Sequence, residues 1–196
     1  MKTFILILVT STFLLAGPHI YAQTDTAKIS QRALFYADSL IKTDTYKDFS
    51  AYADLAPATV LKHYGGKDGF IDHFRTGRPR TVSSIEEEDK PELKIMTLET
   101  RDDQWQILIR ESRYIHRDDN KKYHLVTYFL GQSKDEGETW HLFDISYNKV
   151  ANIIYMLPDV FDDIAIPEPY IISEEAELAK QQAAAAATKK PATKKK

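Results

Sequence analysis

The chain of 196 residues contains no cysteine. That absence excludes disulfides, thiolate metal ligands, a cysteine nucleophile and lipid attachment through a lipobox, so the fold must rest on its core alone. No apolar run reaches the roughly 18 residues that a membrane span needs. The longest candidate, Phe4 to Leu15, is interrupted by Thr10, Ser11 and Thr12. There is no phosphate loop, dinucleotide fingerprint, Gly-x-Ser-x-Gly elbow or HExxH pair, so no cofactor and no metal is expected.

What is present begins with an address. Lys2, the apolar run and the small residue Ala22 before Gln23 read as a secretory signal over 1–22, with an uncleaved anchor as the alternative. The mature protein is then expected to be secreted or periplasmic, with no transmembrane segment after cleavage. From Gln23 to Leu178 there are 19 Lys and Arg against 29 Asp and Glu, a balance of −10 that argues against nucleic acid on the folded domain. From Ala179 onward there are six Lys and no acid. The stretch 173–196 therefore reads as an Ala/Lys-rich tail, capped by Ser173, helical to about Thr188 and disordered beyond. Such a tail is a solubilising or appended segment, or binds an anionic polymer through its lysines.

Residues 23–172 form one domain's worth of chain. Ile29, Ala33, Leu34, Ala37, Leu40 and Ile41 keep helical spacing, and a second short helix carries Tyr46, Phe49 and Tyr52 up to Pro57. "TVLKHYGG" reads as a short strand, and "KDGFIDHFRTG" as a helix burying Phe70, Ile71 and Phe74. After Arg80 the period changes to two. "ELKIMTLET", "QWQILIRESRYIH", "KYHLVTYFLGQS" and "TWHLFDISY" are strand-like runs joined by short polar turns, hence antiparallel hairpins. The fold class is α+β, with N-terminal helices packed on one face of a curved antiparallel sheet. The acidic run "EEEDK" from Glu86 to Lys90 reads as a solvated loop, with weak cation binding as its other use.

"SKDEGETW", Ser133 to Trp140, has the spacing of the Asp box found on sialidase-type propeller blades. One copy cannot build a propeller of four to eight blades, so the motif is expected to act as turn chemistry rather than in sugar contact. Asp135 accepts from backbone N–H groups, Gly137 supplies a positive φ and Trp140 packs on the returning strand.

Symmetric closure of the hairpins puts Ile115 opposite Tyr123 and Ser133 opposite Glu138. One sheet face then carries the rows Ile109, Phe129, Leu142; Glu111, Thr127, Asp144; and Arg113, Leu125, Ser146. An apolar floor leading to two carboxylates and a guanidinium is a surface suited to a small apolar-polar ligand. The alternative is a solvated charged row at the strand ends. The other face, with Leu108, Arg110, Tyr128, Leu130 and Phe143, offers a surface for pairing two copies as a homodimer.

The order helix, helix, short strand, "GGKDGFIDHFR", then long antiparallel strands resembles the nuclear-transport-factor-2-like superfamily, the cone-shaped, cystatin-like fold of ketosteroid isomerases, polyketide cyclases and scytalone dehydratase. "YFLGQSKDEGETWHLFD" with "MLPDVFDDIAIPEPY" is similar to a secreted bacterial branch of that superfamily. The resemblance covers Thr26 to Pro169. It implies a pocket in which a carboxylate or histidine acts as general base, with Glu111 and Asp144 as the candidates here. It also brings His63 and Tyr64, and Asp72 and His73, within reach of the pocket mouth. The leading expectation is a secreted small-ligand- or partner-binding domain without catalysis. The alternative is a cofactor-independent isomerase, dehydratase or hydrolase, with Tyr128 or a histidine as proton donor.

Overall fold

A computed structural model of the chain describes residues 26–77, 90–116, 121–146 and 150–188. The leader expected over 1–22, the acidic residues Glu86 to Asp89 and the lysines beyond Thr188 lie outside the described residues.

Helix α1, Thr26–Thr45, buries Ile29, Ala33, Ala37, Leu40 and Ile41 along one stripe, as its apolar spacing requires. A corner at Lys47, where φ is 58°, leads into α2, Phe49–Asp54, whose first turn is capped by Asp48 Oδ1 accepting from Ala51 N at 3.1 Å. Helix α4, Lys67–Gly77, turns Phe70 and Phe74 onto Tyr52, with ring centroids 5.6 and 5.2 Å away. Burial of each of these rings contributes roughly 2 kcal/mol.

The segment expected as a short strand is helical instead, forming α3 at Ala58–His63. Pro57 precedes it with its fixed φ, and the two glycines that suggested a strand end close a helix C-terminus. Gly66 N donates to Leu61 O at 2.8 Å and Gly65 N to Lys62 O at 3.1 Å, with φ of 101° and 83°. That bonding pattern satisfies the last carbonyls of α3 and needs left-handed backbone at both glycines.

The sheet follows the expected meander: β1 (Glu92–Arg101), β2 (Gln104–His116), β3 (Lys122–Ser133) and β4 (His141–Asp144), all antiparallel neighbours in that order. A fifth strand, β5 (Tyr170–Ser173), pairs with Tyr123 to Val126 of β3 beyond the end of β4, and the sheet does not close into a barrel. Register between β2 and β3 is as expected, with Ile109 opposite Phe129, Glu111 opposite Thr127 and Arg113 opposite Leu125. Register onto β4 is offset by two residues: Phe129 faces Asp144 and Gly131 faces Leu142.

The Asp-box turn accounts for that offset. Ser133 Oγ donates to Asp135 Oδ1 and accepts from Gly137 N, while Thr139 N and Oγ1 both donate to the Asp135 carboxylate. This internal bonding holds Ser133 to Trp140 as one wide loop. Because the offset is even, Asp144 stays on the face that carries Glu111. Trp140 is buried, its Nε1 donating to Gly137 O at 3.0 Å, and Arg32 Nε of α1 donates to Glu138 O at 2.9 Å. The motif is thus the clasp between the β3–β4 hairpin and α1.

Helix α1 lies on the face of Ile109, Glu111 and Phe129. The opposite face is covered as well. Leu108, Leu130 and Phe143 share one buried cluster with Ile153 and Met156 of α5 (Val150–Met156) and with Leu157 and Ile164. Gln106 clamps this cover down by donating to Asp159 O and accepting from Phe161 N. The surface expected to pair two copies is therefore filled by the chain itself. Helix α6, Glu174–Thr188, starts where the tail was expected, with Ser173 Oγ accepting from Ala176 N, and leans on the outer face at β3 and β5.

Candidate functional site

Four of the six expected site residues meet. Glu111 and Arg113 from β2, Thr127 from β3 and Asp144 from β4 line one cavity of about 20 Å³ against α1 and α2. Alternation along the strands points all four to the helix side, and the pairing of Glu111 with Thr127 brings the middle two together. The floor is apolar, from Leu40, Ile41 and Phe129.

His63 and Tyr64 are not in it. His63 is exposed, and the Tyr64 ring packs on Phe70, Phe74 and His73 at the α3–α4 corner. Asp72 and His73 are likewise exposed on α4. The helical course of Ala58–His63 moves this corner away from the sheet. Tyr128 stands opposite Arg110 on the outer face of the sheet, so it cannot serve as proton donor to Glu111. Two other residues take part instead. Asp44 and Tyr52 line the cavity from α1 and α2. Asp44 is three and four residues past Ile41 and Leu40, the buried stripe of α1 carried one turn further, and that spacing was the available signal for it.

Glu111 is 3% exposed. Its Oε2 accepts from Thr127 Oγ1 at 2.9 Å, and its Oε1 lies 3.2 Å from Arg113 Nε. The second contact is ionic only, because neither atom is aligned for a hydrogen bond with the other. Desolvation raises the Glu111 carboxyl above its ordinary value. Arg113 and the Thr127 hydroxyl oppose this, and Asp144 and Asp44 reinforce it. Asp144 Oδ1 accepts from Ser146 N at 2.9 Å, which orients that carboxylate. Among the described residues the lining thus holds three acids and one guanidinium, and Asp44 and Asp144 each have a further partner. Among the described residues no group of His, Asp and Glu is placed to hold a metal.

Room in this cavity is about that of one water molecule, which suits the polar tip of a ligand and excludes an organic substrate held whole. A wider depression of about 290 Å³ lies over the Asp-box turn, bordered by Pro57, Thr59, Gln132, Asp135 and His141. The Asp135 carboxylate there is already engaged by the turn, and hydrogen bonds from Thr139 and Ser133 hold it below its ordinary value against the opposing effect of desolvation.

Comparison of the chain with protein-family models, with curated proteins and with solved structures found no match. No helix among the described residues is long and apolar enough to cross a membrane.

Proposed function

We propose that the chain is a small-ligand-binding domain of nuclear-transport-factor-2-like topology, working in a periplasm or outside the cell. Its cavity takes the cationic or hydrogen-bond-donating head of a ligand whose body stays at the mouth. The observation that carries this reading is the buried Glu111 Oε1, which has no hydrogen-bond donor among the described residues. An unsatisfied buried acceptor costs about 1–3 kcal/mol, so a donor arriving from outside is worth that much in affinity. A carboxylate acceptor bonds most strongly to a donor that is itself charged, so a cationic head suits this place best. The leader-like sequence over 1–22 supports the location, and the helix-then-meander order supports the topology. An anionic polymer held by the lysine tail is an additional partner within this reading.

Catalysis by the same cavity is the second reading. The raised Glu111 carboxyl favours it, since a general base works best with its pKa near the working pH. Against it stand a cavity of water size and a carboxylate already engaged by Arg113 and Thr127.

Native mass spectrometry of the chain from Gln23 onward, beside Glu111→Gln and Asp144→Asn, tests the proposal. A basic small molecule held by the native chain and released by either variant is the expected result. A chain with no adduct at any cone voltage, and no shift in melting temperature with millimolar alkylammonium ions, would overturn it.

A further inference from the structure

On the outer face of the sheet, away from the cavity, three side chains stand in a chemically significant line. Ser112 of β2 and His124 of β3 are diagonal neighbours, since Ser112 pairs with Val126 and Tyr114 with His124. Ser112 Oγ lies 2.6 Å from His124 Nε2, and His124 Nδ1 lies 2.8 Å from Glu177 Oε1 on α6. The imidazole is held flat by Tyr114, stacked at 5.0 Å, and edge-on by Tyr170 at 6.1 Å. An ionised Glu177 can only accept, so Nδ1 carries the ring proton. Nε2 is then left as the acceptor facing the serine hydroxyl.

We infer that Ser112, His124 and Glu177 form a nucleophile, base and positioning carboxylate for acyl transfer from small esters. A hydroxyl becomes a useful nucleophile when a base within hydrogen-bond reach is itself oriented by a third group, whatever the order of the residues in the chain. Ser112 and His124 are only partly buried, which leaves an acyl group an approach to the hydroxyl. Arg110 precedes Ser112 by two residues and so stands on the same face. Its partly exposed guanidinium, with one nitrogen 4.0 Å from Glu92 Oε1, places a positive charge on that face. Tyr170, about half exposed beside the His124 ring, offers an apolar rest for a short acyl chain.

In the first step Ser112 Oγ bonds to the ester carbonyl carbon as its proton passes to His124 Nε2. The bond from that carbon to the alcohol oxygen then breaks, and the leaving alcohol takes the proton from Nε2. Water next adds to the acyl-Ser112 ester, giving a proton to Nε2. The bond to Oγ breaks, the proton returns to Oγ and the free acid leaves. Glu177 forms no bond to the substrate and acts by fixing the ring. Because it belongs to α6, the C-terminal helix completes the site. This chemistry does not depend on the cavity reading.

A bland role exists for the same contacts, that of a latch tying α6 to the sheet, and the test separates the two. The full chain is incubated with a fluorophosphonate and with p-nitrophenyl acetate. Expected are a mass gain of one phosphonyl group mapping to Ser112, and an initial burst of nitrophenol. Ser112→Ala, which removes a single oxygen, loses both while keeping its circular dichroism. Glu177→Gln keeps the fold but slows labelling by about 10²-fold or more, as loss of the orienting carboxylate does in such triads. It also displaces the pH profile of labelling, which a latch alone would not do; the titratable groups against the ring are Glu177, Tyr114 and Tyr170, with Glu174 and Lys122 acting on the adjacent Tyr114. No labelling of the folded native chain, or labelling that survives Ser112→Ala, overturns the inference.

Discussion

Glu111 and Arg113 stand two residues apart on one face of β2, with Oε1 and Nε separated by 3.2 Å and no hydrogen bond aligned between them. Both are largely withdrawn from water. Attraction between them therefore offsets desolvation without the directional bond that would make the pair strongly favourable. Arg113→Gln removes from the buried Glu111 the guanidinium that stands 3.2 Å from its Oε1. It is expected to lower stability by about 3 kcal/mol, the cost typical of breaking a buried pair. Adding Glu111→Gln should restore part of that loss, because the double variant buries no charge at this place. Urea unfolding at neutral pH reads both, and a double variant as weak as the sum of the singles would show that the pair is not coupled.

The pH dependence of the native chain has a definite sign at this site. Desolvation raises Glu111 above its ordinary value of 4.5, so the folded chain holds that proton to higher pH than the unfolded one. Stability from Glu111 is complete below the unfolded value and is lost as pH rises through the folded one. Glu111→Gln cannot ionise, so its stability relative to the native chain is expected to improve as pH rises from about 4.5 to the folded value and to level off above it. Paired denaturation curves across that range check this, and a flat difference would mean that Glu111 titrates normally.

Asp135 and Gly137 give the Asp-box turn a purely mechanical test. Asp135→Ala removes the acceptor for Thr139 N, Thr139 Oγ1 and Ser133 Oγ together, and about 1–2 kcal/mol should go with it. Gly137→Ala should cost more. Its φ of 85° disfavours a side chain, and an added Cβ would sit 2.8 Å from two carbons of Ile29. Thermal unfolding should rank Gly137→Ala below Asp135→Ala, with ligand binding at the cavity retained by both at low temperature.

The strands and the cavity were legible in the sequence because both rest on local alternation. Once Ile115 is set opposite Tyr123, period two fixes which of Glu111, Thr127 and Arg113 share a face. The β4 register was displaced because loop length depends on side-chain bonds within Ser133 to Thr139 that no periodicity reports. The helix at Ala58–His63 was misread because a Gly-Gly pair ends helices and strands alike, and only the bonds from Gly66 to Leu61 and from Gly65 to Lys62 distinguish them. Strand β5 and helix α5 were missed for want of length: four and seven residues carry too little pattern to stand out from loop. The Ser112, His124, Glu177 line joins residues up to 65 positions apart, and it becomes visible only when β5 has carried α6 back over β3.

Thr127 provides the last test, because its hydroxyl gives a hydrogen bond whose strength depends on the charge of its acceptor. A bond to an ionised carboxylate contributes about 1.5–3 kcal/mol, and one to a neutral group about 0.5–1.5 kcal/mol. Thr127→Val keeps the shape and removes the donor to Glu111 Oε2. At a pH below the ordinary carboxyl value Glu111 is neutral in both states, and the substitution should cost little. Above the folded value the carboxylate loses one of the two groups that oppose its desolvation, and the cost should rise by about 1 kcal/mol or more. The same substitution moves the Glu111 titration further upward, because the bond it deletes favours the charged form. The side-chain carboxyl-carbon resonance of Glu111 followed against pH would show that displacement directly. Unchanged titration in Thr127→Val would mean that the Thr127 hydroxyl has no part in the charge state of the buried acid, leaving desolvation opposed chiefly by Arg113.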